Sequence, residues 1–309
     1  MTDGRSVNAA RKSASLALRD EAERLSATAP SLLIAAQRIA QTIIQGTHGR
    51  RTAGPGEDFW QYRLYTSGDP ANRIDWRKSA RSHKVLIREN EWAAANTMWL
   101  WVDGAAGMSF RSKLATTAKR DRASLLAMAL AILAVYGGER VGLLGGSLAP
   151  GHTQNTLSRL AESLSSPEPG FPLHPKLSRF SVCVLFSDFL DPLPTISGRL
   201  APIAAQVQKG HLMQIADPAE EAFPYHGRTE FTEMAGTQNL TFGRAESLKE
   251  NYQALYRRQR ASVKDLARRL GWTFSVHHTD QPPHHVLLSL YMLVANDLQH
   301  SKSYRAGAA

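Results

Sequence analysis

The sequence predicts an α/β protein in which a Rossmann-type parallel sheet carries helices on both faces. Strand and helix patterns alternate regularly from Met98 to Leu298. Several predicted strands are almost continuous apolar runs, of which Ser181–Phe186 is the clearest. Strands that are apolar on both faces are typical of parallel sheets covered by helices on both sides.

The individual elements follow from hydrophobic periodicity and from the glycines and prolines that interrupt it. The predicted strands cover residues 98–102, 140–144, 181–186, 211–215 and 272–278. The predicted helices cover residues 117–135, 153–164, 196–208, 247–270 and 284–298. Short polar pieces between residues 219 and 245 interrupt the alternation, and we interpret them as a hairpin.

Three segments divide the chain. Residues 1–46 are an N-terminal tail with helices, the last of which begins near Ser31 and ends at Gly46. Residues 47–97 are rich in glycine and aromatic residues, which predicts turns and short strands. Residues 98–300 form the α/β domain. We expect the strand-rich segment to pack on this domain as a small appended element.

Composition indicates an ordinary globular protein with a basic surface. Hydrophobic residues make up 43% of the chain and charged residues 21%, so a large core can be buried. The net charge of +10 suits an acidic protein, a nucleic acid or an anionic membrane surface. The longest apolar run, Leu125–Tyr136, falls short of the roughly 20 residues of a membrane-spanning helix.

The single cysteine and the N-terminus bear on the cellular compartment. Cys183 lies in an apolar strand and has no second cysteine with which to form a disulfide, which fits a reducing compartment. The N-terminus lacks the hydrophobic segment of a secretory signal. We therefore expect a soluble cytoplasmic protein with no membrane span.

The sequence contains none of the common motifs of nucleotide-binding or hydrolytic enzymes. The loop Gly145–Gly151 lacks the lysine of a P-loop, so we interpret it as a structural turn. Four histidines cluster at residues 277–285, but neighbours in a strand point to opposite faces and cannot share one metal from the same side. We therefore expect no enzymatic activity and no cofactor.

Two aspartates stand at the ends of predicted strands. Asp103 directly follows the first core strand, and Asp188 follows the strand Ser181–Phe186 after one serine. Open α/β sheets bind ligands beyond the carboxyl ends of their strands, so both side chains are candidates for a shared site. Each aspartate could also simply cap the turn or helix that follows it. The sequence leaves both interpretations open.

The loop that begins at Asp103 resembles a known metal motif. Asp103-Gly-Ala-Ala-Gly-Met108 occupies the place of the motif Asp-x-Ser-x-Ser of von Willebrand factor A (vWA) domains. Ser187-Asp188 resembles the later vWA loop whose aspartate supports the metal. The resemblance implies a vWA-like fold with a metal site at Asp103 and Asp188, and Thr153 and Thr156 are candidates for a further loop ligand.

The motif departs from that pattern at two positions. Ala105 and Gly107 stand where vWA domains have the two serines. Because Mg²⁺ prefers six oxygens in a strict octahedron, we interpret the site as degenerate and expect Mg²⁺ to bind weakly at most.

A longer segment upstream, Gly54–Arg81, resembles the signature of domain-of-unknown-function family 58. That signature has a Gly-Asp pair, a run ending in Ile-Asp-Trp and a following Ala-Arg, all present here. The resemblance covers residues 35–300. It implies a vWA-like partner or adaptor of a MoxR-type AAA+ ATPase, a non-catalytic module in the assembly or remodelling of protein complexes.

Six residues of this segment are candidates for either a structural lattice or a partner surface. They are Asp69, Arg73, Asp75, Trp76, Arg77 and Arg81. The carboxylate of Asp75 can pair with the arginines on either side of it, and Trp76 offers a face on which a guanidinium can stack. We favour the internal ion-pair lattice over the partner surface.

Two other functions compete with the adaptor. Basic residues are interleaved with aromatic ones between residues 50 and 88, and more basic residues follow in the predicted helix 247–270, which could bind nucleic acid. A metal-dependent hydrolase could use Asp103 and Asp188. However, no nucleophile, histidine base or third carboxylate is recognisable beside them, so we rank it last.

Overall fold

The computed structural model describes residues 30–45, 59–65, 74, 76–82, 84–90, 96–146, 149–168, 170–171, 177–178, 181–233, 236 and 239–306. The strands are β1 (Phe59–Leu64), β2 (Leu86–Asn90), β3 (Thr97–Val102), β4 (Arg140–Leu143), β5 (Ser181–Ser187), β6 (Lys209–Ala216), β7 (Thr229–Thr232), β8 (Asn239–Phe242) and β9 (Thr273–His278). The helices are α1 (30–45), α2 (Trp76–Ser82), α3 (Lys119–Tyr136), α4 (Gln154–Ser165), α5 (Leu193–Ala204), α6 (Pro218–Ala222), α7 (Lys249–Arg269) and α8 (Pro283–Ala306).

Five strands form a parallel sheet in the spatial order β4-β3-β5-β6-β9. The chain order reverses between β3 and β5, which makes this pair the switch point at which open α/β sheets bind ligands. Val102 pairs with Phe186, so the carboxyl ends of β3 and β5 lie side by side. The predicted Rossmann-type parallel sheet is confirmed.

Helices cover both faces of the sheet, as predicted. Alternate strand residues point to opposite sides, so the apolar strands bury side chains against helices on each face. Val182, Val184 and Phe186 pack with residues of α1, α3, α4 and α8 on one face. Cys183 and Leu185 pack with residues of α5 and α7 on the other face. Cys183, in the predicted apolar strand, is buried, and burial raises the pKa of its thiol well above the ordinary value.

Residues Arg50–Ala95 make up a second compact unit, whereas α1 belongs to the same unit as the sheet. Within the second unit β1 pairs with β2 in antiparallel fashion, as the prediction of short strands implies. The short helix α2 was not predicted. The backbone N–H of Leu86 donates to Ser79 Oγ over 2.8 Å, which fastens α2 to the start of β2.

The remaining predictions hold with shifted boundaries. The predicted hairpin is present as β7 and β8. The helix predicted from residue 196 begins at Leu193, because Pro194 in the first turn favours helix initiation. The helix predicted over 247–270 is instead a 3₁₀ turn, Ala245–Leu248, followed by α7. The charged helix expected before Pro30 lies outside the described residues.

Candidate functional site

Three neighbouring strands of the sheet end in acidic residues at the same edge. Asp103 follows β3, Asp188 follows β5 and Asp217 follows β6. The edge is the carboxyl end of a parallel sheet, and β3 and β5 flank its switch point. The structure therefore brings the two predicted aspartates, Asp103 and Asp188, to the edge where a ligand site is expected.

Asp103 is held by groups of its own loop and of β5. Its Oδ2 accepts a hydrogen bond from Ser187 Oγ over 2.7 Å, and its Oδ1 accepts one from the backbone N–H of Ala105 over 2.9 Å. Burial raises the pKa of Asp103, and the nearby charge of Asp188 acts in the same direction against these two hydrogen bonds. Charge repulsion between the aspartates is thus present, but burial is the main cause of the raised proton affinity.

Asp188 faces a buried lysine that the sequence analysis did not single out. Its Oδ2 accepts a hydrogen bond from Lys119 Nζ over 2.8 Å, and its Oδ1 accepts one from the N–H of Leu190 over 3.2 Å. Phe189, the next residue, has a left-handed backbone with φ of 51°. A non-glycine residue in this region stores local strain, so the turn that aims Asp188 is held by its surroundings.

Lys119 is the first residue of α3, and its side chain is only 1% exposed. Its Nζ also lies 2.5 Å from Glu220 Oε1, so one ammonium bridges two carboxylates from different loops. Burial alone would lower the pKa of Lys119, but the charges of Asp188 and Glu220 outweigh it and raise the pKa above its usual value. The two carboxylates therefore favour the charged form of Lys119 at this edge.

Asp217, which follows β6, caps helix α6 together with Glu220. Asp217 Oδ1 accepts from the N–H of Ala219 over 2.9 Å, and Glu220 Oε2 accepts from the N–H of Asp217 over 2.9 Å. This reciprocal pair is the capping box of α6. Asp217 Oδ2 accepts from the N–H of Ser112 over 2.8 Å. Every carboxylate oxygen of Asp103, Asp188, Asp217 and Glu220 thus accepts a hydrogen bond from this chain, and we call these four residues with Lys119 the carboxylate cluster.

A second polar network continues along the same edge. Arg260 donates from both terminal nitrogens to Glu221, at 2.9 and 3.1 Å, and His278 Nε2 lies 2.5 Å from the same carboxylate. Arg260 Nε also donates to Gln214 Oε1 over 2.9 Å. Gln214 in turn donates to the carbonyl of Asp188 over 2.8 Å, so the two networks are joined.

The loop after β3 has no hydroxyl group at positions 105 and 107, where the resemblance to vWA domains places two serines. A Cβ atom built on Gly107 would lie 3.3 Å from Asp188 Oδ2, so the position still faces that carboxylate. Thr153 and Thr156, the candidates for the further loop ligand, lie elsewhere. Gly151, just before them, bridges to Val141 near the start of β4, and Val141 is level with Met98 at the start of β3. The threonines therefore lie toward the opposite end of the sheet from Asp103.

A crevice of about 490 Å³ opens beside the cluster. It is lined mainly by the ends of β3 and β4 and by the segment that follows α4. Trp101, Leu144, Leu164 and Phe171 form much of its apolar wall. Gly104 packs tightly against that segment, since a Cβ atom on it would lie 2.2 Å from the carbonyl oxygen of Pro167.

The histidines are separated as the alternation of a strand predicts. His277 is buried, with Nε2 3.5 Å from an Arg122 nitrogen, whereas His278 contacts Glu221. His284 and His285 lie in the first turn of α8. In the part of the chain that the structure describes, no group of three or more His, Cys, Asp or Glu side chains is arranged to hold a metal ion.

The predicted signature residues are only partly described. Trp76, Arg77 and Arg81 lie on α2 and are exposed, with 65% of Trp76 accessible to solvent. Asp69, Arg73 and Asp75 lie outside the described residues. The predicted ion-pair lattice around Asp75 therefore stays a prediction.

Sequence reasoning missed Lys119, Asp217 and Glu220, although two signals pointed to them. Asp217-Pro-Ala-Glu220 follows an apolar strand and has the pattern of a capping box. Lys119 begins a helix, where the macrodipole disfavours a cation, so its position implies an acidic partner. Glu220 is a third carboxylate at this edge, contrary to the prediction that none accompanies Asp103 and Asp188.

Fold and site together define a class: an α/β protein whose sheet switch point carries a carboxylate cluster bridged by a buried lysine. The family described as "Protein of unknown function DUF58" matches residues 61–262, and this chain belongs to it. Similar proteins include an uncharacterised protein of Mycobacterium bovis and two from strains of Mycobacterium tuberculosis. Each is 24% identical over 278 residues, covering 84% of this chain and 86% of the relative.

Two solved structures show a weaker likeness. One is an aerotolerance-related membrane protein from Bacteroides fragilis, with a TM-score of 0.39 and 11% identity, covering 67% of this chain and 100% of that one. The other is the conserved hypothetical protein BatB from Bacteroides thetaiotaomicron, with a TM-score of 0.36 and 9% identity, covering 66% and 100%. Within the described residues of the present chain, none of the helices is both long and apolar enough to cross a membrane.

Proposed function

We propose that this protein is a non-catalytic vWA-like interaction module, a partner or adaptor of a MoxR-type AAA+ ATPase in the assembly or remodelling of protein complexes. The observation that carries the non-catalytic part is the state of the carboxylate cluster. Its eight carboxylate oxygens accept hydrogen bonds from backbone N–H groups, Ser187 and Lys119. A general base needs a carboxylate aimed at substrate, whereas these carboxylates tie loops together.

The partner half of the proposal rests on the family resemblance and on exposed signature residues. Trp76, Arg77 and Arg81 are all exposed on α2, and Arg77 and Arg81 are four residues apart on one helical face. Tryptophan and arginine are the residue types that most often dominate the energy of protein–protein interfaces. This surface therefore fits a protein partner with acidic groups.

The test is binding of the full chain to a MoxR-type ATPase encoded in the same genome, measured by co-purification and by titration. Trp76→Ala and the double charge reversal Arg77→Glu/Arg81→Glu should weaken binding at least tenfold while leaving the melting temperature unchanged. Arg159→Glu on α4 is a control, because Arg159 is also exposed but lies outside the signature. No binding by the wild type, or equal binding by all variants, would reject the partner.

Absence of catalysis is tested separately. The purified chain should turn over no phosphoester, peptide or nucleotide substrate above background. Turnover that Asp103→Asn abolishes would show that the cluster is an active site and would overturn the proposal.

Nucleic-acid binding remains a second candidate because of the outer face of α7. Arg257, Arg258, Lys264 and Arg269 are exposed there, whereas Arg260 is engaged by Glu221 and Arg268 by Asp265. Exposed cations along one helix suit phosphate contacts. Sub-micromolar affinity with a steep fall as salt rises would favour this function, because phosphate binding releases counterions.

A further inference from the structure

The positive charge at the switch point between β3 and β5 is carried by a side chain of this protein, the ammonium of Lys119. Lys119 reaches the edge from the first turn of α3, and its ammonium contacts Asp188 at 2.8 Å and Glu220 at 2.5 Å. The two carboxylates belong to different loops, after β5 and in α6. With a side chain that is 1% exposed, Lys119 is enclosed by the groups that it neutralises.

The residues at this edge do not fit the divalent cation of a vWA-type site. Mg²⁺ requires six oxygens at about 2.0–2.1 Å in an octahedron. Ala105 and Gly107 supply no hydroxyl, although Gly107 still faces Asp188 Oδ2. Both oxygens of Asp103 already accept hydrogen bonds, from Ser187 and from a backbone N–H. A cation here would therefore depend mainly on the carboxylates of Asp188 and Glu220, which Lys119 occupies.

We propose that the ammonium of Lys119 replaces the divalent cation of a vWA-type site, and that the switch point is thereby closed to Mg²⁺, Mn²⁺ and Ca²⁺.

Charge and distance both support this exclusion. A Mg²⁺ ion coordinated to Asp188 Oδ2 at about 2.1 Å would lie within about 5 Å of Lys119 Nζ, because Nζ is 2.8 Å from that oxygen. Two cations so close in a buried place repel strongly, since little water screens them. A lysine ammonium is a compact charge with three donors and no strict geometry, so it satisfies two carboxylates without six ligands.

The proposal goes beyond the interaction function and holds for any partner. A vWA-type metal completes its coordination with a carboxylate from the partner, and a buried ammonium has no open coordination position to offer. Partner binding at this edge should therefore be unaffected by chelators. A failure of the ATPase experiment would leave this inference intact, because the test below uses ions alone.

The experiment compares three forms of the full chain: wild type, Lys119→Ala and Lys113→Ala. Lys113 is the matched control because it is an exposed lysine in the loop before α3. Each form is titrated calorimetrically with MnCl₂, MgCl₂ and CaCl₂, and its melting temperature is recorded with and without each ion. Wild type and Lys113→Ala should show no saturable binding and no ion-dependent shift.

Lys119→Ala should have a lower melting temperature, because it leaves Asp188 and Glu220 buried without their cation. It should also gain saturable binding of at least one divalent ion, which wild type and Lys113→Ala lack, and be stabilised by that ion. If this variant does not fold, Lys119→Met/Glu220→Gln takes its place, because it removes one charge of each sign. Saturable wild-type binding that Asp188→Asn abolishes would overturn the proposal, as would a folded Lys119 variant that gains no binding.

Discussion

The fold shifts the pKa values of two buried basic side chains in opposite directions. It raises the pKa of Lys119 and lowers that of His277. Lys119 keeps its charge because two carboxylates lie within hydrogen-bonding distance. His277 loses its charge because it is buried beside the guanidinium of Arg122, and these effects lower its pKa to about 4. The neutral imidazole can accept a hydrogen bond from Arg122, whereas a protonated one would be repelled.

Protonation of His277 should make the fold acid-sensitive. Its pKa is about 4 in the folded chain and near the ordinary value of 6.5 in the unfolded chain, so only the unfolded chain takes up the proton between these values. Stability is therefore fully present above pH 6.5 and is lost as the pH falls toward 4. At about 1.4 kcal/mol per pKa unit, the loss from this residue amounts to about 3 kcal/mol.

The measurement is urea unfolding at intervals between pH 4 and pH 7.5. His277→Gln should unfold with a shallower pH dependence than wild type across this window. His152→Gln serves as the control because His152 is exposed, and it should match wild type. If His277→Gln and wild type share the same slope, the acid sensitivity has another source.

The loops at the carboxyl edge are where sequence-based prediction reached its limit. Most of the strands and longer helices could be predicted, because hydrophobic periodicity and turn residues are local signals. Asp103 and Asp188 could be placed from strand ends alone. Lys119 could not be assigned its partners, because Asp188 and Glu220 are 69 and 101 residues away in the chain. Only the folded sheet brings such distant loops together.

The loop after β3 depends on a glycine for close packing. A Cβ atom on Gly104 would lie 2.2 Å from the carbonyl oxygen of Pro167, whose backbone cannot give way easily. Gly104→Ala should therefore destabilise the chain by about 1–3 kcal/mol, the usual effect of overpacking. Chemical denaturation measures this change.

A second glycine provides the matched control. Gly198 lies inside α5 with no atom within 4 Å of a built Cβ atom, so alanine fits there. Gly198→Ala should be neutral or stabilising by up to about 1 kcal/mol, because alanine is the better helix former. Equal effects of the two substitutions would contradict the packing argument.

At the scale of the whole molecule, the fold extends beyond the region that the family model matches. The family match ends at residue 262, within α7, but the sheet and its helical layer do not. β9 pairs with β6 along the edge of the sheet, and α8 contributes Leu287, Leu290 and Val294 to the core. The family region alone thus lacks one strand and part of one face of the core.

A fragment of residues 61–262 should therefore fail to fold, whereas residues 30–306 should unfold cooperatively. Each buried leucine or valine of α8 contributes about 1.5–3 kcal/mol, and several together rival the total stability of about 5–15 kcal/mol. Circular dichroism during thermal unfolding distinguishes the two fragments. A cooperative transition of the shorter fragment would show that β9 and α8 are dispensable.

The covalent attachment of Lys119 to α3 has a consequence for control of the switch point. A dissociable ion leaves its site whenever its concentration falls below its dissociation constant, but an ammonium carried on the main chain cannot be diluted. If Lys119 replaces the ion as proposed, the charge balance of this edge is the same in ion-poor and ion-rich surroundings. Displacement of the first turn of α3 relative to the loops after β5 and β6 would separate this ammonium from its two carboxylates. On the proposed arrangement, control of this edge through Lys119 would be mechanical, by displacement of a helix end, rather than by release of a bound ion.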